Sequence, residues 1–586
     1  MKWNWNYNDC HKNSLHYATP SMLKITGHSI YRGPNPWAVA PVVVCHIEDS
    51  AAHDAGIASL ANRAAERAKA ALNEIRGYLH EVGAQAEGNG KAVFWVEFHH
   101  PRITFEAMTL AIASLNGEPG IEQQIEQLHA KCRRHHPDYQ ARILMTAARA
   151  HGIPVLPLAL GSKIWQYGWG KHAELFFESA SNGDGYLAGM IAASKATTKS
   201  VFAALGAPFP RYVLVSRKED LPGAAQTVGW PCVVKPLDRG GGKGVTAGIR
   251  TQPDLVRAFA VARRFTTGQI MVEAYVPGDD HRLMVVRGEL VAAIRRDPPG
   301  VVGDGRSSIA ELMQVLNQGR SKNLVASNYL YPVALDETIL AHLKRHGLTP
   351  ESVPDEGQRV TLRSNANLCT GGSCTEMTAD IHPEVRAMAE ALGDTLGFAA
   401  LGLDYITTDI SLPLSGGAFI EANTTPGLSA AIAAGIGAEE TGTMLLGTSS
   451  RRIPAVLLLV ADNAIPAVAA TLKAEAATRP GLAWLCGNAA GIGMLPLNLA
   501  HLPVWERTPS LLKHRSAGAV VVAWTPNDLV RHGAPFDRCD AVVIGNVAIP
   551  PGWEAVLAKQ SIRPLQTITP DGMVKEALDG IAIAGE

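Results

Sequence analysis

At 586 residues the chain is too long for one compact core, so about three or four domains of roughly 150 residues are expected. A hydrophobic fraction of 47% with 18% charged residues excludes a disordered chain, and 53 Lys and Arg against 54 Asp and Glu exclude a global field drawing it to nucleic acid or an anionic membrane. The eight cysteines form no Cys-x-x-Cys pair, so neither a zinc ribbon nor a disulfide framework is expected, and a reducing, cytoplasmic setting fits.

Residues 2–16 are polar and aromatic, with no basic start leading into an apolar core, which predicts no secretory signal. The longest apolar runs, such as 453–461, have the length of a buried strand and fall short of a membrane span. Residues 1–165 read as a small α/β or α+β domain with a strand at 42–47, a long amphipathic helix at 57–82 and a strand at 92–97. Glu97, His99 and His100 follow that strand, but adjacent strand residues face opposite ways, which argues against a metal site. Arg133-Arg134-His135-His136 reads as a solvated face, and Trp165, Tyr167 and Trp169 as packing aromatics.

A second domain is expected over 166–447. It has a helix at 197–205, a strand at 212–216, a helix at 220–227 with Pro222 in its first turn, and a strand at 232–235 running into a glycine-rich loop. Ala-rich and Val-rich βα units follow, with strands at 455–460, 519–524 and 541–544, and mark a third α/β domain over 448–586. The expected class is thus α/β and α+β, in several domains.

The informative stretch is Val233-Val234-Lys235-Pro236-Leu237-Asp238-Arg239-Gly240-Gly241-Gly242-Lys243-Gly244. Glycines let backbone N–H groups close over phosphate oxygens without side-chain obstruction. It is not a Walker A loop, because its strand lysine precedes the glycines and no Gly-Lys-Ser/Thr follows; Lys235 is placed to reach phosphates from the sheet. Met271-Val272-Glu273-Ala274-Tyr275-Val276 reads as a strand leaving through a hinge, where backbone groups and Glu273 can meet an adenine edge. Glu421 and Asn423, two apart on an apolar strand, share a face, with Asp404 available from a neighbouring strand. Three hard oxygen donors suit Mg²⁺, which keeps several waters and bridges nucleotide phosphates.

In this order these pieces resemble the ATP-grasp ligases. Tyr31-Arg32-Gly33-Pro34-Asn35, Asp280-His281-Arg282-Leu283, Val302-Gly303-Asp304-Gly305-Arg306-Ser307 and Asn367-Leu368-Cys369-Thr370-Gly371-Gly372 narrow the resemblance to the cyanophycin synthetases. The resemblance implies a first domain of that family's type, an ATP-grasp catalytic domain, and ATP and Mg²⁺ as cofactors. It implies nucleotide contacts from Lys195, Lys235, Gly240, Gly241, Gly242, Lys243, Gly244, Glu273, Val276 and His281, and Mg²⁺ on Asp404, Glu421 and Asn423. Arg295, Arg363, Asn367, Gly371 and Gly372 would orient a carboxylate and its acyl phosphate. Two departures bear on the acceptor: Arg239 to Lys243 replace a customary Asn-His pair, and Cys369 stands where Ser is usual.

Full-length members continue into a Mur-ligase-like domain opening with Gly-Thr-Asn-Gly-Lys-Thr, whereas Val460-Ala461-Asp462-Asn463-Ala464-Ile465-Pro466 stands here and lacks a phosphate cradle. Phe536-Asp537-Arg538-Cys539-Asp540 resembles a segment of that domain, so 448–586 is expected to be a truncated, inactive form of it. By resemblance to the second, shorter type, the partners are a β-aspartyl dipeptide, with β-aspartyl-arginine foremost, and a growing polymer or primer. A homo-oligomer, dimer or tetramer, is implied. The competing expectations are an ATP-grasp ligase making another amide polymer or short peptide, and a non-catalytic scaffold for a full-length synthetase.

Overall fold

A computed structural model describes residues 22–49, 54–159, 161–320, 330–579 and 581; the polar stretch 2–16 lies outside them. The chain divides into two compact units, one of residues 1–138, 169–172 and 452–586, the other of residues 139–168 and 173–451.

In the first unit, Lys24–Tyr31, Val42–Glu48, Lys91–Glu97 and Val82–Gly88 form an antiparallel four-stranded sheet in that order. The helix Asp54–Ile75 lays Ile57, Ala61, Ala64, Ala65, Ala68 and Leu72 into the core; four of the six are alanines, which lets it approach closely. The expected helix to residue 82 is corrected. Asn73 exchanges hydrogen bonds with Leu79, its Oδ1 accepting from Leu79 N at 3.1 Å and its Nδ2 donating to Leu79 O at 2.8 Å, and the chain re-enters the sheet at Val82. The solvated reading of 133–136 holds for Arg133 and Arg134, which are exposed, and is corrected for His136. His136 is 2% exposed, donates through Nδ1 to Arg76 O, and its imidazole is pushed down to about 4 by burial. The two histidine pairs meet, His99 with His136 and His100 with His135, at ring separations of 5.4 and 5.2 Å. Among the described residues no group of three or more His, Cys, Asp or Glu could hold a metal.

The same unit contains a seven-stranded sheet in the order Leu495–Leu497, Ala489–Ile492, Leu482–Cys486, Ala519–Trp524, Ala455–Leu459, Ala541–Ile544, Gln566–Thr567. The last five are parallel, and the inner four are buried along their whole length, as sheets covered on both faces require. Ala455–Leu459, first in sequence, lies centrally, so the crevice beyond its carboxyl end is the natural ligand position of such a sheet. A short 3₁₀ turn, Asp462–Ala464, and a helix from Ile465 with Pro466 in its first turn occupy that place.

The Arg32-Gly33-Pro34 segment docks on residues 532–534: Arg32 N donates to His532 O and Ala534 N to Pro34 O, each at 2.8 Å. The Arg32 guanidinium stands 4.6 Å from the Trp505 ring. A Cβ on Gly33 would lie 2.0 Å from Ala534 O. Gly33→Ala is therefore expected to destabilise by at least the roughly 1–3 kcal/mol typical of overpacking. Urea midpoints of Gly33→Ala and of Gly27→Ala, where nothing lies within 4 Å, check it.

In the second unit a four-stranded antiparallel sheet runs Thr246–Ile249, Cys232–Pro236, Ile270–Ala274, Tyr212–Val215. The helices Leu221–Val228 and Gln252–Arg263 close its apolar core. A five-stranded antiparallel sheet runs Ser373–Glu376, Glu289–Asp297, Asp279–Val286, Ala400–Thr407, Gly417–Asn423. One face buries Leu283, Ala293, Leu403 and Tyr405 with Val385, Leu392 and Leu396 of the helix Pro383–Leu396. Because side chains alternate, the other face is free to carry charge. No described helix is long and apolar enough to cross a membrane, and the described cysteines are all free.

Candidate active site

The charged face of the five-stranded sheet is set by register. Asp404 pairs across the ladder with Glu421 on one side and Arg282 on the other, and Asp280 pairs with Arg296. Directly opposed residues share a face, so all five side chains point the same way, with Asn423 two positions beyond Glu421. Arg282 Nε donates to Asp404 Oδ1 at 2.8 Å; Arg296 Nη2 lies 3.1 Å from the same oxygen and 2.5 Å from Asp280 Oδ1. Burial pushes the Asp404 carboxyl up, but the two guanidiniums outweigh it and hold the group below the ordinary carboxylate range. Asp280 goes the other way, raised mainly by its own burial and by Asp404, against the pull of Arg296.

The helix Lys195–Ala204 starts at Ser194, whose side chain accepts from Thr197 N, and this cap fixes where its first lysine points. Lys195 Nζ donates to Arg239 O of the glycine loop at 2.7 Å and lies 3.2 Å from Glu421 Oε1. Lys235 ends the buried strand Cys232–Pro236, with Nζ 2.6 Å from Glu273 Oε1. Lys199 Nζ lies 3.2 Å from the other oxygen of Glu273. The structure thus sets the Glu273 carboxylate, 4% exposed, between two ammoniums. Val276 is half-buried just beyond its strand, where Tyr275 N donates to Pro231 O.

Gly241, Gly242 and Gly244 have φ of 67°, 74° and 75°, a left-handed run that side chains disfavour. Gly240 to Lys243 are exposed. Asn367 Nδ2 donates to Gly241 O at 3.1 Å, tying the loop 367–372 to the glycine loop. Gly371 has φ 95°, and its carbonyl accepts from Arg320 Nη1 at 2.7 Å; a Cβ on Gly372 would lie 2.5 Å from Ala366 O. Arg363 is buried and donates to Asp336 Oδ2 at 2.9 Å. Arg295 pairs with His281 and Thr375 on the face opposite Asp404, with Nε 3.2 Å from Asp297 Oδ1. His281 is buried there, and burial lowers its imidazole.

Lysines 195 and 235, the glycine loop, Asn367, Glu273, Asp404, Glu421 and Asn423 therefore belong to one connected arrangement. Arg295, Arg363 and His281 have other partners. Arg296 and Lys199 join the arrangement without having been picked out from the sequence, and Arg282, quoted there only within a motif, joins it through Asp404. Lys199 was legible as the i+4 partner of Lys195 on one helix face. The two arginines needed the strand register, since residue parity alone does not say which of Arg295 and Arg296 faces Asp404.

The oxygen set fits a hard cation. Among the described residues no hydrogen bond reaches Asp404 Oδ2, Glu421 Oε2 or Asn423 Oδ1, while the Asn423 amide nitrogen is spent on Gly402 O. Two carboxylates and an amide oxygen are a donor set that Mg²⁺ accepts, with water completing its coordination.

Burial raises the Glu273 carboxyl, but Lys235 and Lys199 outweigh it and hold the group low. A carboxyl lowered on folding contributes stability that is present above its unfolded pKa and lost as pH falls through the folded value. Glu273→Gln is expected to lower stability at neutral pH and flatten the acid limb below about pH 4.3. Urea midpoints against pH read this directly, and an acid limb as steep as the parent's would contradict it.

An ATP-grasp domain model matches residues 200–290. The chain is 31% identical over 415 residues to the cyanophycin synthetase of Crocosphaera subtropica, covering 69% of this chain and 48% of that one. It is 30% identical over 317 residues to the glutathione biosynthesis bifunctional protein of Mannheimia succiniciproducens, covering 52% of this chain and 41% of that one. Among solved structures, the bifunctional glutathione synthetase of Pasteurella multocida is 26% identical, with a TM-score of 0.39 over 55% of this chain and 46% of that one. The chain thus spans about half the length of the curated cyanophycin synthetase it matches.

Proposed function

We propose that this chain, which is similar to the cyanophycin synthetases and matches an ATP-grasp domain model, is an ADP-forming ligase that joins β-aspartyl dipeptides, β-aspartyl-arginine foremost, into a cyanophycin-like polymer. The observation that carries the ligase reading is the reach of Lys195, whose one ammonium meets both the glycine loop at Arg239 O and the carboxylate of Glu421. A triphosphate lying between loop and sheet would meet Lys195 and Lys235 on one side and the oxygen set on the other.

In this reading the substrate carboxylate attacks the γ-phosphorus of ATP and ADP leaves. The amine of the next dipeptide then attacks the acyl carbon, gives up its proton and displaces phosphate. Lys195 and Lys235 hold phosphate charge, and the exposed loop 240–243, with Lys243, folds over it to keep water away. Asp404, Glu421 and Asn423 would hold Mg²⁺, which would supply charge neutralisation on the phosphates when bound. Orientation of the carboxylate and acyl phosphate is assigned to Arg295, Arg363 and the loop from Asn367 to Gly372. Polymer and primer are the partners, a homo-oligomer the assembly and the cytoplasm the location.

The module built on the seven-stranded sheet supports the dipeptide reading. With the 3₁₀ turn Asp462–Ala464 in the crevice of its sheet and no glycine between Val460 and Pro466, it offers no second triphosphate cradle for adding arginine to a finished backbone. Purified protein with Mg²⁺ and ATP is expected to release phosphate with β-aspartyl-arginine and to become turbid, and to do neither with free aspartate plus arginine. Phosphate release with another dipeptide alone would move the assignment to a different amide ligase, which the changes at Arg239 and Cys369 make the second reading. No release under any condition would favour a scaffold.

A further inference from the structure

We propose that Lys199 is a positioning residue of the nucleotide site, gripping the Glu273 carboxylate from inside the protein so that this carboxylate fixes the Lys235 ammonium at the root of the glycine loop. The inference rests on the nucleotide reading above. Lys195 and Lys199 lie one turn apart on the same helix but do different things. Lys195 reaches the loop, whereas the Lys199 side chain is 0% exposed and can meet no bound nucleotide in this arrangement.

The Glu273 carboxylate is divided between its two neighbours, Oε1 at 2.6 Å from Lys235 and Oε2 at 3.2 Å from Lys199. The Phe209 and Tyr212 rings stand 5.7 and 5.8 Å from the Lys199 Nζ. A fully buried ammonium is costly unless an anion needs it, and among the described residues the carboxylate within salt-bridge distance is Glu273, which already has Lys235 as a partner. A core filler would be apolar. Two ammoniums on one carboxylate leave the cluster with excess positive charge, which suits the approach of a polyphosphate and works against leaving the pocket empty. Burial depresses the Lys199 ammonium, Glu273 restores part of the loss and Lys235 takes some back, leaving it at about 8.

Lys199→Met keeps the side-chain volume and removes the charge, and Lys199→Gln replaces it should the methionine variant not fold. Either variant is expected to weaken binding of a magnesium complex of a non-hydrolysable ATP analogue by about tenfold or more, measured by calorimetry, while adenosine binding is unchanged. Lys199→Arg should recover part of the loss. In the double variant with Glu273→Gln, loss of Lys199 should add nothing further, because it acts only through that carboxylate. Parent-like affinity in the single variants, or additive losses in the double variant, overturns the proposal. A parent protein that binds no analogue overturns the nucleotide reading and this proposal with it.

Discussion

Lys235→Met is expected to lower ATP-dependent phosphate release by roughly 10²–10³-fold, the loss that follows removal of one preorganised charge donor from a site of developing anionic charge. The side chain is 5% exposed at the end of a buried strand and is held by Glu273, so its ammonium needs no reorganisation when phosphate arrives. The fold should survive, because Glu273 keeps Lys199 as a partner. Lys243→Met is the comparison. That lysine sits exposed on the loop, where solvent screens its charge, and its removal should cost no more than about tenfold. Steady-state phosphate release by the two variants, at matched melting temperatures, separates a fixed charge from a mobile one. Equal losses would contradict the account.

Arg296→Met is expected to destabilise the second unit by about 1–3 kcal/mol, the cost of leaving the partly buried Asp280 carboxylate without its charged donor. The guanidinium, 12% exposed, joins Asp280 to Asp404, and Arg282 contacts only the second of these carboxylates. Without Arg296 the Asp280 carboxylate loses its counter-ion beside the Cys374 thiol, whose own burial pushes it up to about 11. Arg295→Met, one residue away on the opposite face and one-third exposed, should cost no more than about 1 kcal/mol. Denaturant unfolding of the pair reads the difference. If Arg295→Met impairs turnover while leaving stability alone, the assignment of that arginine to the substrate carboxylate is supported.

Much of this site is legible in the sequence because its parts use local rules. A strand ending in Lys235 before a run of glycines, and Glu421 and Asn423 two apart, announce themselves through the strand period of two and the conformational freedom of glycine. What sequence could not supply is long-range. Which arginine faces Asp404 depends on the register of three strands and on an irregularity between Asp404 and Tyr405. The role of Lys199 depends on a helix packing behind Glu273. The close of the first long helix at Ile75 turns on Asn73 meeting Leu79, a side-chain interaction that amphipathic periodicity does not register. The histidine pairs at 99–100 and 135–136, unremarkable taken separately, meet only because the helix ending at His135 returns to the start of the helix at Pro101. The motif from Tyr31 to Asn35 likewise shows its docking on residues 532–534 only in the folded chain.

Carboxylate activation by phosphoryl transfer leaves its mark in the fate of one oxygen atom. β-Aspartyl-arginine labelled with ¹⁸O in its backbone carboxylate is incubated with the protein, Mg²⁺ and unlabelled ATP, and the released phosphate is analysed by mass spectrometry. ADP is expected as the nucleotide product, with one ¹⁸O atom in each phosphate released by bond formation, carried from the carboxylate through the acyl phosphate. Unlabelled phosphate, or AMP with pyrophosphate, would contradict it.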